Sequence, residues 1–210
     1  MSTGPGSKSL LLIHSHFGTP SDLFQRAAEQ GIGKIVRERD LARAHFDEAT
    51  GLITTTHLDQ PGFLAWSEAV QALLKRGGRW FFSGHILREF IPGLSRFVPI
   101  VRARRADLVL TRLNDHPIFE GVEQKNFEEN KGVAGFYGRG HNPMPEGALA
   151  INGVSASNFP IDWVWDVPGG GKFFSHAGND IGVGMGGSGP TSPHEVVAPR
   201  ILAWTLGDLA

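Results

Sequence analysis

The sequence predicts an α/β domain built on a mostly parallel central sheet with helices on both faces. Three observations carry this. Ser9–His14 is a continuous apolar run rather than an alternating one, the pattern of a strand buried on both faces, and the runs Gly51–Thr56 and Arg79–Ser83 read as further strands. The first and second of these runs are followed by segments of helical spacing, the order expected of right-handed βαβ units. The runs also end in Ser, Thr or His, at the carboxyl ends where open parallel sheets bind ligands.

Taken in order, Ser9–His14 (SLLLIH) is a first strand, interrupted by Ser15, Gly18 and Pro20. Pro20–Gln30 places Leu23, Phe24, Ala27 and Ala28 on one helical side, with Ser21 as N-cap and Gly31 as stop. Lys34–Arg39 reads as a short second strand, and Gly51–Thr56 (GLITTT) as a third that ends at His57, Leu58, Asp59 and Gln60. Pro61–Lys75 has the helical period in Phe63, Leu64, Trp66, Ala69, Val70, Leu73 and Leu74, with proline at its start and Gly77-Gly78 after it. Arg79–Ser83 is a fourth strand, running into Gly84-His85.

The second half is less regular. Ala106–Arg112, Val133–Tyr137 and Leu149–Val154 read as strands, and Asn114–Gly121 as a turn-rich connection that Asp115 is placed to cap. Trp163–Val167 and Lys172–His176 form a hairpin about Pro168–Gly171, and Val196–Leu206 a final helix. No repeat or linker divides the chain, so residues 1–210 are expected to form a single domain.

Composition narrows the function classes. A formal net charge of -1 supplies no field for nucleic acid or an acidic membrane, and the cluster Arg102, Arg104 and Arg105, with Arg96 and Arg112 nearby, reads as a solvated face. The chain has 0 cysteines, which excludes disulfides, thiolate ligands and a cysteine nucleophile. Leu10–Ile13 is too short for a membrane span or signal core, and a cytoplasmic location is expected. The 28 glycines gather in residues 132–153 and 169–189, supplying turns. Among them Gly182–Gly189 (GVGMGGSG) matches no phosphate-cradling pattern and reads as a mobile loop, and Arg139–Asn142 as a lid. Trp163, Trp165, Phe136 and Tyr137 have two readings, a stacking sugar pocket or ordinary core, and core is the default.

Histidine carries the site expectation. His14 and His16 follow the first strand, His57 the third, His85 the fourth and His176 a late one, so five of nine histidines converge on one rim. Ser83, Gly84, Asp59, Asn179 and Asp180 lie beside them. Imidazoles and carboxylates bind Zn, Mn or Fe, and imidazole also serves as acid or base near neutral pH. Both readings stand: a divalent metal on His14, His16 and His57, or proton transfer by His57, His85, His176 and Asp180. Against each histidine singly stands an ordinary role capping a loop.

Gly78–His85 (GRWFFSGH) resembles the G-x-C-x-G-H elbow of class I glutamine amidotransferase-like proteins, and aligning Gly84-His85 with its G-H puts Phe82 in the place of the nucleophilic cysteine. The chain is also similar to the ThuA-like (trehalose utilisation) branch of that superfamily. The resemblance lies in His14-Ser15-His16, Thr54–Gln60, Asp115–Val122 (DHPIFEGV, against H-P-[IL]-x-x-G-[VI]), Phe173–Asp180 and the closing Pro199–Gly207 (PRILAWTLG). It implies a flavodoxin-like three-layer sandwich, no glutaminase activity, and a sugar or other small polar metabolite as ligand at a His-rich pocket. The competing reading is a catalytically silent amidotransferase-like domain that binds either a ligand or another protein chain as its partner. Both readings admit a homodimer.

Overall fold

The computed structural model describes residues 8–130, 133–181 and 193–210. The expected mobile loop Gly182–Gly189 lies outside them. The chain forms an eight-stranded sheet between two helical layers, which is the predicted α/β class. Its parallel part includes β1 (Leu10–His14), β2 (Gly33–Arg37), β3 (Gly51–Thr54) and β4 (Arg79–Ser83). Two ribbons lie outside it, β5 (Val98–Pro99) with β9 (Gly140–His141) and β7 (Glu129–Asn130) with β8 (Val133–Ala134). Strands β6 (Leu110–Arg112), β10 (Leu149–Val154), β11 (Phe159–Asp166) and β12 (Lys172–His176) complete the sheet in the order β2-β1-β3-β4-β12-β11-β10-β6. Five strands, β2 to β12 in that order, are parallel neighbours, and the last three pairings are antiparallel.

The helices are α1 (Asp22–Glu29), α2 (Arg43–Glu48), α3 (Gln60–Phe63), α4 (Ser67–Lys75), α5 (Lys125–Glu128) and α6 (Pro193–Leu206). Alternation along the strands divides the core. Leu10, Leu12, Phe81 and Phe174 face one layer, where Leu23, Phe24 and Ala27 of α1 and Val197, Ile201 and Trp204 of α6 cover them. Leu11, Ile13, Trp80, Phe82 and Phe173 face the other, against Phe46 of α2 and Ala69, Val70, Leu73 and Leu74 of α4.

Four elements differ from the sequence expectation. Pro61–Lys75 is broken by a 3-10 turn at Leu64–Trp66, where Trp66 leaves the helical line to stack on Phe46 at 5.4 Å. Helix α2 was not anticipated because it buries a single residue, Phe46, and so has no visible period. Ala106–Arg112 splits into a 3-10 turn at Arg105–Leu108 and the short β6, and Val133–Tyr137 contracts to β8, with Tyr137 buried in the core. Trp163 and Trp165 are core residues as well.

Candidate functional site

Backbone geometry at the end of β4 moves the elbow. Phe82 is fully buried inside the strand, packed against Trp80, Phe90 and Phe173, and does not reach the rim. The turn is made at Gly84, whose φ of 121° belongs to glycine and whose absent Cβ would stand 3.1 Å from Thr56 Cα. Two buried amides hold this turn. Asn142 accepts from Ile86 N–H at 2.9 Å and donates to Gly84 O at 3.0 Å and Ser175 Oγ at 2.8 Å. Gln60 donates to His85 O at 2.6 Å and accepts from Leu87 N–H at 2.7 Å. The expected lid Arg139–Asn142 is therefore a brace. Gly140 and His141 pair with β5, and Asn142 is wholly buried beneath the turn.

The loops after β1, β3 and β12 converge as expected. They enclose a cleft of about 160 Å³ lined by His14, His16, Thr19, Ser21, Phe24, Thr55, Thr56, His57, Asn179 and Asp180. His16 and His57 are exposed and meet edge to face, ring centroids 5.0 Å apart. His16 Nδ1 accepts from Gly18 N–H at 2.9 Å, which places its proton on Nε2. His14 is buried and hydrogen-bonds Gly18 O through Nε2 at 3.1 Å. Burial holds its imidazole below the ordinary range, with Arg37 and His16 adding repulsion against the opposing carbonyl bond. Asp180 Oδ1 accepts from Thr56 N–H at 2.8 Å and Thr56 Oγ1 at 2.9 Å. Burial still pushes its carboxyl above the usual range, because desolvation outweighs those two bonds.

The remaining expected residues are placed elsewhere. His176 is fully buried behind the cleft; Nδ1 meets Asp162 Oδ1 and Nε2 meets Asn179 O, each at 2.7 Å. His85 stands outside the cleft, its ring stacked on Phe97 at 3.6 Å. Ser83 is buried in β4 opposite His176. Asp59 precedes α3, and its backbone N–H donates to Glu38 at 2.8 Å. Among the described residues no group of three or more His, Cys, Asp or Glu is placed to hold a metal ion.

Sequence reasoning missed the polar ladder behind the rim. Ser83, His176, Asp162, Asn152 and Arg112 are successive cross-strand neighbours on β4, β12, β11, β10 and β6. Asp162 Oδ2 accepts from Tyr137 OH and Asn152 Nδ2, both at 2.7 Å, and Asn152 Oδ1 accepts from Arg112 Nε at 2.9 Å. Asp162 carried a signal, a carboxylate in the middle of the apolar strand FPIDWVWD, since such a group is rarely buried unless paired.

No protein-family model and no curated protein matches the chain. Solved structures do. A protein assigned to GMP synthase from Thermoplasma acidophilum superposes with a TM-score of 0.61 at 10% identity, covering 97% of this chain and 96% of its own. A cytoplasmic protein of Salmonella typhimurium gives 0.58 at 10% identity over 94% and 98%. A glutamine amidotransferase of Methylobacillus flagellatus gives 0.52 at 14% identity over 98% and 96%. The chain thus has the flavodoxin-like, class I glutamine amidotransferase-like fold.

Proposed function

We propose that the chain is a ThuA-like protein that binds a sugar or another small polar metabolite in the cleft at the carboxyl ends of β1, β3 and β12. The family reading rests on the Asp115–Val122 segment and the closing helix. The observation that carries the binding reading is the convergence of His16, His57 and Asp180 with four Ser and Thr residues on one concave rim. A cleft of about 160 Å³ holds about five waters' worth of liquid at roughly 30 Å³ each. That suits a monosaccharide or a smaller metabolite rather than a longer glycan. His16 offers an N–H at Nε2 and His57 an imidazole outside any hydrogen bond among the described residues, a donor and an acceptor for one hydroxyl. His57 and Asp180 are the groups that meet a ligand and move its proton. His176 acts as a positioning residue, holding through Asn179 O the segment that carries Asp180. With 0 cysteines and a glycine at the turn, hydrolysis of glutamine through a thioester has no nucleophile.

The test is saturation-transfer NMR with D-glucose, D-galactose, D-ribose and myo-inositol, on the wild type and on His57→Ala, whose exposed side chain can be removed without touching the core. At least one compound is expected to bind, with affinity falling tenfold or more in the variant. Binding by none, or equal binding by both proteins, overturns the reading. A zinc titration in the same samples addresses a metal on His14, His16 and His57. Each of the three rings keeps a nitrogen outside the bonds to Gly18, but among the described residues no three such groups are placed to hold one ion, and zinc sites use three or four protein ligands. The melting temperature is expected to stay unmoved at stoichiometric zinc. A rise of several degrees that His57→Ala abolishes would restore the three-histidine centre.

A further inference from the structure

The Asp115–Val122 segment plays no part in the rim cleft, yet it builds a larger cavity. Arg112, Asp115, His116, Phe119, Glu120 and Glu123 contribute to the walls of a groove of about 780 Å³, against about 160 Å³ at the rim. The walls are fixed. Arg112 Nη2 donates to Val122 O at 3.1 Å, and Arg200 of α6 donates to Glu120 O at 2.5 Å, so the segment is tied to the sheet and to a helix. A cleft shaped in advance is the common form of a ligand site.

His116 is the informative residue. It is only 8% exposed, packs on Phe174 and Trp204, and uses Nδ1 to accept from Ile118 N–H at 3.3 Å. That bond puts the ring proton on Nε2, and Nε2 has no hydrogen-bond partner among the described residues although the residue lines the groove. The residue is largely buried, but Nε2 is not one of the sealed unpartnered atoms, so a bound acceptor there would take the place of water. The other polar groups of the wall are the Arg112 guanidinium, partly engaged by Asn152, Phe119 O and Val122 O, and the carboxylates of Asp115, Glu120 and Glu123, with Glu123 paired to Lys125 at 2.6 Å. An anion would face those carboxylates, and a cation would face the guanidinium and the imidazole N–H. A hydroxyl both donates and accepts, so it satisfies the two sets together.

We propose that the Arg112–His116–Glu120 groove is a second ligand site, separate from the rim, that takes a neutral polyhydroxylated molecule larger than a monosaccharide. Maltose is the probe, titrated by NMR into the wild type, Glu120→Gln and His116→Asn. Asparagine keeps a strong N-cap for Ile118 N–H while removing the N–H at Nε2. Maltose is expected to perturb the amides of residues 112–124, with affinity falling fivefold or more in His116→Asn and in Glu120→Gln. His57→Ala is expected to bind maltose as the wild type does, so failure at the rim and failure in the groove are distinguishable. Spermidine and inorganic phosphate serve as the cationic and anionic arms. Absence of maltose shifts, shifts confined to the rim, unchanged affinity in both groove variants, or stronger binding of either charged probe overturns the proposal.

Discussion

Replacing Asp162 by alanine tests the ladder that supports the rim. Its carboxylate is wholly buried and accepts from His176 Nδ1, Tyr137 OH and Asn152 Nδ2, each at 2.7 Å. Removal strands three donors in a fully buried site. Breaking a buried pair from one side costs about 3–5 kcal/mol, chiefly because the surviving partner loses its compensation. For a domain of this size, about 2–4 °C of melting temperature accompanies each kcal/mol, giving a fall of about 6–20 °C. Urea unfolding with a fluorescence readout measures the loss directly, since buried Trp163 lies next to the pair on β11. Asp162→Asn keeps the shape and one acceptor, so its cost is expected to be smaller, about 1–3 kcal/mol. A loss below about 1 kcal/mol in Asp162→Ala, or a larger loss in Asp162→Asn, would refute the ladder as a support.

Two further outcomes are expected. Burial lowers the His116 imidazole from 6.5 to about 4, so the unfolded chain takes up its proton first as the pH falls. This contribution to stability is intact above about pH 6.5 and is lost progressively towards pH 4, by about 3 kcal/mol in all at 1.36 kcal/mol per pH unit. The lowered His14 and His141 act in the same direction, so the measurement is the difference between wild type and His116→Asn in urea unfolding from pH 7 to 4.5. Parallel pH profiles would refute it. Gly84→Ala forces a side chain onto a φ of 121° and against Thr56, and about 1–3 kcal/mol of stability should be lost. A neutral or stabilising result, as at sites where alanine fits, would mean that the turn is not held in this conformation.

At the carboxyl end of β4 the chain makes a glycine turn at Gly84, held by Asn142 and Gln60. Both amides are spent inside the fold, on backbone groups and on Ser175 Oγ, so the turn is a fixed floor beside the rim. In the proposed reading, the groups that meet a ligand at the rim are exposed His16 and His57 on one side and Asp180 on the other.

Much of this was legible in the residues themselves. Leu10–His14, Gly51–Thr54 and Arg79–Ser83 could be read as parallel strands because a strand covered on both faces needs apolar side chains at nearly every position. The same logic put His14, His16, His57 and Asp180 at the carboxyl ends, since parallel strands all finish on one side. Partners across strands were not legible. Register brings Asp162 opposite His176 and Asn152 opposite Asp162, and a shift of one residue would have turned each to the other face. Burial then decided between residues of one type. His176 is enclosed by Asp162 and Asn179 O, His85 lies against Phe97, and His57 stays open to a ligand. The sequence by itself determined the α/β class, the parallel half and the absence of a cysteine nucleophile, because these depend on local pattern and composition. Only the tertiary structure decided which histidines are free, where the elbow turns and that a second groove exists, because those depend on contacts between segments far apart in the chain.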